Sequence, residues 1–122
     1  MSIEDLGDGE AVMKIPYDER FIGDPETGVL HGGVITALLD SCCGTAVISH
    51  PATKGPTATL DLRIDYMRAA RPGEAVLAFA QCYRQTRSVA FVRAVAYETD
   101  RDDPIATATG AFTVAPASEP KS

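Results

Sequence analysis

The chain has 122 residues, 45% of them hydrophobic and 23% charged, with a formal net charge of −6 at pH 7. That length supports one domain with its own core and is short for two. The acidic balance argues against duplex nucleic acid or an anionic membrane as the main partner, because both repel a negative surface.

Residues 1–10, MSIEDLGDGE, have neither the basic n-region nor the apolar h-region of a signal peptide, and an irregular segment is expected there. AVMKIPY, from Ala11 to Tyr17, reads as a first short strand stopped near Pro16, and DERFIGDPETG as a turn-rich loop. From about Gly33 to Ser49 the apolar run is too long for a strand and predicts a helix of four to five turns. It ends at His50-Pro51, because the residue before proline avoids helical geometry. No apolar run free of polar breaks reaches membrane-spanning length, and a cytoplasmic location is expected.

The second half alternates. TATLDLRIDYMRAA places Leu60, Leu62, Ile64 and Tyr66 on one side, with Thr59, Asp61, Arg63 and Asp65 on the other. EAVLAFAQCYRQTR, SVAFVRAVAYETD and PIATATGAFTV follow as three further strands, separated by turn residues. In EAVLAFAQCYRQTR both sides are apolar: Leu77, Phe79 and Tyr83 against Val76, Ala78, Ala80 and Cys82. An antiparallel sheet normally keeps one face wet. One helix cannot cover two dry faces, so a homo-oligomer, at least a dimer, is expected. APASEPKS closes the chain as a small-residue tail expected to be disordered.

Cys42 and Cys43 are adjacent and Cys82 is distant, a pattern matching neither a disulfide framework nor a zinc site, so the cysteines read as small core residues. No spacing of His31, Asp40, Cys42, Cys43 and His50 matches a known metal site. Between Arg63 and Arg93 six arginines face only Asp65 and Glu74, a local excess that reads as solvated strand faces or as a collector of a small polyanion.

The candidate site lies on the helix. Asp40 shares its face with Gly33, Thr36, Ala37 and Gly44, all small, so another molecule can approach the carboxylate closely. A carboxylate in apolar surroundings is either paired or held for chemistry. The helix opens with His31-Gly32-Gly33, without the Ser, Thr, Asp or Asn that usually caps such a start, so its first N–H groups are expected to have no local side-chain acceptor. Free amides and a carboxylate about two turns apart suggest an oxyanion site with a base or nucleophile. His31 also reads more simply, as a ring that hydrogen-bonds the backbone and orders the turn.

HGGVITALLD, with His nine residues before Asp at the head of a buried helix, resembles the hotdog-fold acyl-CoA thioesterases of the phenylacetate-pathway, PaaI-type branch of the 4-hydroxybenzoyl-CoA thioesterase superfamily. ATLDLRIDYMRAARPGE, TRSVAFVRAVAYE and PIATATGAFTV resemble further strands of that family, so the likeness spans roughly residues 11–114. The resemblance implies an α+β fold in which a five-stranded antiparallel sheet wraps one long helix, with residues 11–115 as the hotdog domain between the irregular 1–10 and the tail 116–122. It implies hydrolysis of an acyl-CoA thioester with no metal or redox cofactor, coenzyme A entering only with the substrate, in a homodimer or dimer of dimers. Asp40 matches the catalytic base or nucleophile, Gly32 the amide that polarises the carbonyl, and His31 the residue that positions the thioester. Thr59 matches the hydroxyl that orients water, contributed across the dimer interface. Gly33, Arg68, Arg87 and Ser88 are the implied substrate and coenzyme A contacts. Many relatives carry Asn or Gln six residues before the histidine; here Pro25 stands there, with Asp24 and Glu26 as the candidates to replace it.

Two competitors are weighed beside this one. R-specific enoyl-CoA hydratases of the same fold space their Asp and His five residues apart, whereas seven separate Asp24 from His31. A non-catalytic acyl-CoA-binding protein would retain the pocket and release no thiol.

Overall fold

The computed structural model describes residues 1–115; the tail at 116–122, expected to be disordered, lies outside the described residues. The chain runs β1 (Ser2–Gly7), β2 (Glu10–Ile15), a 3-10 turn (Glu19–Phe21), β3 (Ile22–Asp24), β4 (Val29–Leu30), α1 (Gly32–Ser49), β5 (Lys54–Tyr66), β6 (Val76–Gln85), β7 (Val89–Tyr97) and β8 (Ala106–Ala115). Six strands form one antiparallel sheet in the order β1-β2-β6-β7-β8-β5, with α1 packed on one face, and β3 and β4 make a separate small hairpin. The expected α+β architecture holds, with six strands in the main sheet instead of five.

The sixth is β1, in the segment expected to be irregular. It returns onto β2 through Asp8-Gly9, where both residues have positive φ, 50° and 87°, the geometry of a two-residue hairpin loop. Every β1 residue is exposed, so no hydrophobic alternation marks the strand; the Asp-Gly pair was its only signal.

The helix packs closely because the strands turn small residues toward it. Ile35, Leu38, Leu39, Cys42, Cys43, Ala46 and Val47 of α1 are buried. Beneath them lie Ala78 and Ala80 of β6, Ala90, Val92 and Ala94 of β7 and Ala108 of β8. The larger alternates, Leu77 and Phe79, fall on the outer face, half-buried in the single chain, and Tyr83 there is 48% exposed. By length and composition α1 is apolar enough to cross a membrane, but seven of its residues form this core, which accounts for its apolarity. It stops where proline requires: His50 is already extended at φ −67°, ψ 133°.

The sheet leaves one stripe of α1 uncovered. Gly32, Gly33, Thr36 and Ala37 are exposed, Asp40 and Gly44 half-buried. Beside this stripe runs β5, which among the described residues pairs only with β8 and so presents an open edge there.

Candidate active site on the open face of the helix

The start of α1 carries a cap after all. His31 sits at the N-cap and its Nδ1 accepts the Gly33 N–H at 2.9 Å, while Val34 N–H bonds the His31 carbonyl at 3.0 Å. The simpler expectation for His31, a ring that orders the turn, is thus met, and the expectation of an acceptor-free start is corrected. The consequence is selective: the Gly33 amide is occupied, and the Gly32 amide finds no acceptor among the described residues. The positive end of the helix dipole adds to the pull of that amide on a negative oxygen. His31 is itself held by its N–H bond to Phe21 O, 2.7 Å.

Asp40 is half-buried, and Thr59 Oγ1 donates to its Oδ1 at 3.1 Å. One carboxylate oxygen is oriented by that hydroxyl, and Oδ2 is left for a water or a carbonyl carbon. The resemblance placed Thr59 across a subunit boundary; here it reaches Asp40 from the same chain, because β5 runs alongside α1.

A bulge makes this contact possible. On β5 the pairing with β8 shifts between Thr59 and Asp61, so that Thr59 opposes Phe112 and Asp61 opposes Ala111, with Leu60 as the extra residue. Simple alternation had put Thr59 opposite Leu62, Ile64 and Tyr66. The extra residue flips the parity, and Thr57 and Thr59 join Leu62, Ile64 and Tyr66 on the helix side. Leu60 itself is 58% exposed.

From Asp40 and Thr59 a groove of about 370 Å³ runs along the helix between Ser41, Gly44, Thr45 and Ile48 on α1 and Thr57 and Ala58 on β5, with Phe112 beneath. Its small and hydroxyl-bearing lining suits a narrow organic group whose reactive end lies at Asp40. Arg87 and Ser88 lie exposed in the β6–β7 turn; the Ser88 carbonyl accepts the Val114 N–H at 3.0 Å, and Val114 pairs with Thr57, a groove residue.

Arg68 does not join them. All five of its N–H donors are engaged: Nε with Asp103 Oδ1, Nη1 with Ala69 O and Glu98 Oε2, and Nη2 with Glu98 Oε1 and Asp103 O. No donor remains for a phosphate, so the implied coenzyme A contact at Arg68 is replaced by a structural role. Burial opposes ionisation of Glu98, but the Arg68 guanidinium and the Arg71 backbone N–H outweigh it and hold the carboxyl below its ordinary value. Pro25 lies in the β3–β4 turn; Asp24 Oδ1 accepts the Glu26 N–H at 3.0 Å, so this carboxylate also serves the turn. Burial raises the Cys42 and Cys43 thiols to about 12, which keeps both out of nucleophilic chemistry.

Tyr66 was read in the sequence only as one side of an alternating strand. Its hydroxyl lies 2.7 Å from Gly32 O and 2.6 Å from Thr36 Oγ1, so it belongs to the site.

Comparison with known proteins finds relatives of the same fold. Residues 27–105 match the family model described as the thioesterase superfamily. A Pseudomonas aeruginosa protein of known crystal structure is 43% identical, with 91% of this chain and 82% of that one aligned at a TM-score of 0.82. A mutant of the phenylacetic acid degradation protein PaaI from Thermus thermophilus is 28% identical over 93% of this chain and 91% of that one, TM-score 0.80. A Halobacterium salinarum protein named as a candidate esterase is 39% identical over 74 residues, 58% of this chain and 49% of that one; the chain spans about half the length of this curated relative.

Proposed function

This chain belongs to the thioesterase superfamily, and from that premise we propose that it hydrolyses an acyl-CoA thioester to the free acid and coenzyme A. The observation that carries the proposal is the pair on the open helix face: a Thr59-oriented Asp40 at the head of a groove, and a Gly32 amide with no acceptor among the described residues. The thioester oxygen takes the Gly32 N–H, and charge developing on it in the tetrahedral intermediate is stabilised there. Asp40 either takes a proton from the attacking water and passes it to the departing thiolate, or attacks the carbonyl carbon itself to form an acyl–Asp40 anhydride that a water then opens, the thiolate taking its proton from solvent. In both cases the C–S bond breaks, coenzyme A leaves as thiol and the free acid is released. His31, Arg87 and Ser88 are assigned to substrate placement, with Gly33 contributing only the room that its missing side chain leaves, and the chemistry uses no metal or redox cofactor. The likeness to PaaI along most of the chain supports the phenylacetate-type branch.

Helix geometry argues for a second subunit. Gly32 and Asp40 are eight residues apart on one straight helix, about 12 Å along its axis, whereas one carbonyl group must lie near 3 Å from both. A two-fold axis through the middle of the exposed Gly33–Thr36–Ala37 stripe sets two helices antiparallel and brings Gly32 of one protomer to Asp40 of the partner subunit, twice per dimer. Small side chains on the stripe allow the close approach, and the open β5 edges extend the sheet across the same axis. In this arrangement the subunit boundary runs between Gly32 and the Asp40–Thr59 pair, in place of a boundary between Asp40 and Thr59.

The test is thiol release from a panel of short, long and aromatic acyl-CoAs. Asp40→Asn is expected to lower kcat at least about 100-fold while eluting as the same oligomer. Near-normal hydrolysis by that variant refutes the assignment. Crotonyl-CoA hydration, assayed in parallel, distinguishes the hydratase alternative.

A further inference from the structure

We propose that Tyr66 is a positioning residue for the oxyanion donor and acts through the Gly32–Gly33 peptide; this rests on the thioesterase assignment above. The Gly32 carbonyl can only accept, so the phenolic proton goes to it, and the Thr36 hydroxyl then donates to the phenolic oxygen. A threonine inside a helix ordinarily bonds the carbonyl four residues back, which for Thr36 is that of Gly32. Tyr66 stands between the two and takes the place at that carbonyl which the Thr36 hydroxyl would otherwise fill. The other end of the same peptide, the Gly33 N–H, is held by His31 Nδ1. One peptide plane is therefore gripped at both ends, by a side chain from the helix cap and by one from the end of β5.

The grip answers a need that the sequence creates. Two successive glycines open the approach to the Gly32 amide: a Cβ at Gly32 would meet nothing nearer than the Tyr66 phenol, 3.8 Å away. They also make this the least restrained stretch of the helix. An oxyanion donor contributes only if it is aimed before charge develops, so the backbone around Gly32 must be held by other groups. Tyr66 is 50% exposed, so core packing does not account for its place; its hydroxyl geometry does.

The experiment uses the full chain and whichever of acetyl-, hexanoyl- and phenylacetyl-CoA the wild type hydrolyses fastest. Tyr66→Phe keeps the ring and removes the hydroxyl. The expected result is a fall in kcat of about 10- to 100-fold, with KM within about threefold and an unchanged thermal midpoint. Thr36→Val is expected to shift kcat in the same direction by less. Because His31 and Tyr66 hold one peptide, the double variant His31→Ala/Tyr66→Phe should lose less than the product of the single losses. A wild-type kcat in Tyr66→Phe, a loss matched by a rise in unfolded fraction, or independent multiplication in the double variant overturns the proposal. Asp40→Asn separates the levels. If Asp40→Asn is inactive and Tyr66→Phe unimpaired, the Tyr66 role alone fails; if Asp40→Asn hydrolyses as fast as wild type, the thioesterase assignment fails and takes this role with it.

Discussion

His31 caps α1 with a ring nitrogen instead of the oxygen that Ser, Thr, Asp or Asn would supply, and the choice has a chemical consequence. Nδ1 must keep its lone pair to accept the Gly33 N–H, which assigns the ring proton to Nε2 on the exposed side, where it can donate to a substrate. Asp40, Gly32 and His31 were legible as single residues because a helix relates neighbours by a fixed local period. Arg68 was not, since a local excess of arginine does not say which carboxylates lie across the fold. Glu98 is its partner, with a side chain 1% exposed. A carboxyl held below its ordinary value stabilises the fold fully above that value and loses the contribution as pH falls through the depressed one. Glu98→Gln should therefore cost about 3 kcal/mol at pH 7, as expected for breaking a buried pair. In urea melts from pH 7 to pH 2, the gap to wild type should narrow below the ordinary glutamate value of 4.5. A gap independent of pH would show that the charge on Glu98 contributes nothing.

Among the elements, β5 shows where sequence periodicity stops being informative. Its alternation predicted a strand correctly, yet one extra residue at Leu60 reverses which face Thr59 occupies. The condition for the bulge lies fifty residues away, in Gly110, which pairs with Leu62. A Cβ at Gly110 would stand 2.9 Å from Leu62 Cδ1 and 3.0 Å from the Asp61 carbonyl oxygen, so β8 can close on the bulge only without a side chain there. Gly110→Ala should push β5 outward, lengthen the Thr59–Asp40 contact and lower kcat about 10-fold, with a stability loss of about 1–3 kcal/mol typical of overpacking. Unchanged kcat together with a lowered urea midpoint would separate the bulge from the chemistry. β1 makes the opposite point: it pairs through backbone alone and exposes all its side chains, so only the Asp8-Gly9 turn announced it.

At the level of the whole molecule, a single chain holds both halves of the proposed site but cannot bring them together. The large outer-face residues of β6, the open β5 edge and the bare helix stripe all support the oligomer expected from the two-sided apolar strands. If Gly32 of one protomer serves Asp40 of the other, two inactive chains should complement. Asp40→Asn mixed with Gly32→Val forms dimers in which one of two sites carries both intact groups. Random pairing makes half the dimers mixed, so about a quarter of wild-type turnover should return. Refolding the two variants together and measuring thiol release checks this; activity no higher than the sum of the separate variants would place Gly32 and Asp40 in one subunit's site.

The amino-acid sequence determined by itself the long buried helix and its proline-set end, the strand-rich second half, and the small-residue face on which Asp40 lies. These depend on neighbours a few residues apart, where backbone geometry repeats. The tertiary structure alone decided that His31 caps its own helix, that Arg68 belongs to Glu98 and Asp103, that a bulge turns Thr59 toward Asp40, and that Tyr66 reaches the peptide next to the Gly32 amide. Each of these rests on a contact or a register between distant segments, and a single inserted residue changes the outcome without changing the local pattern.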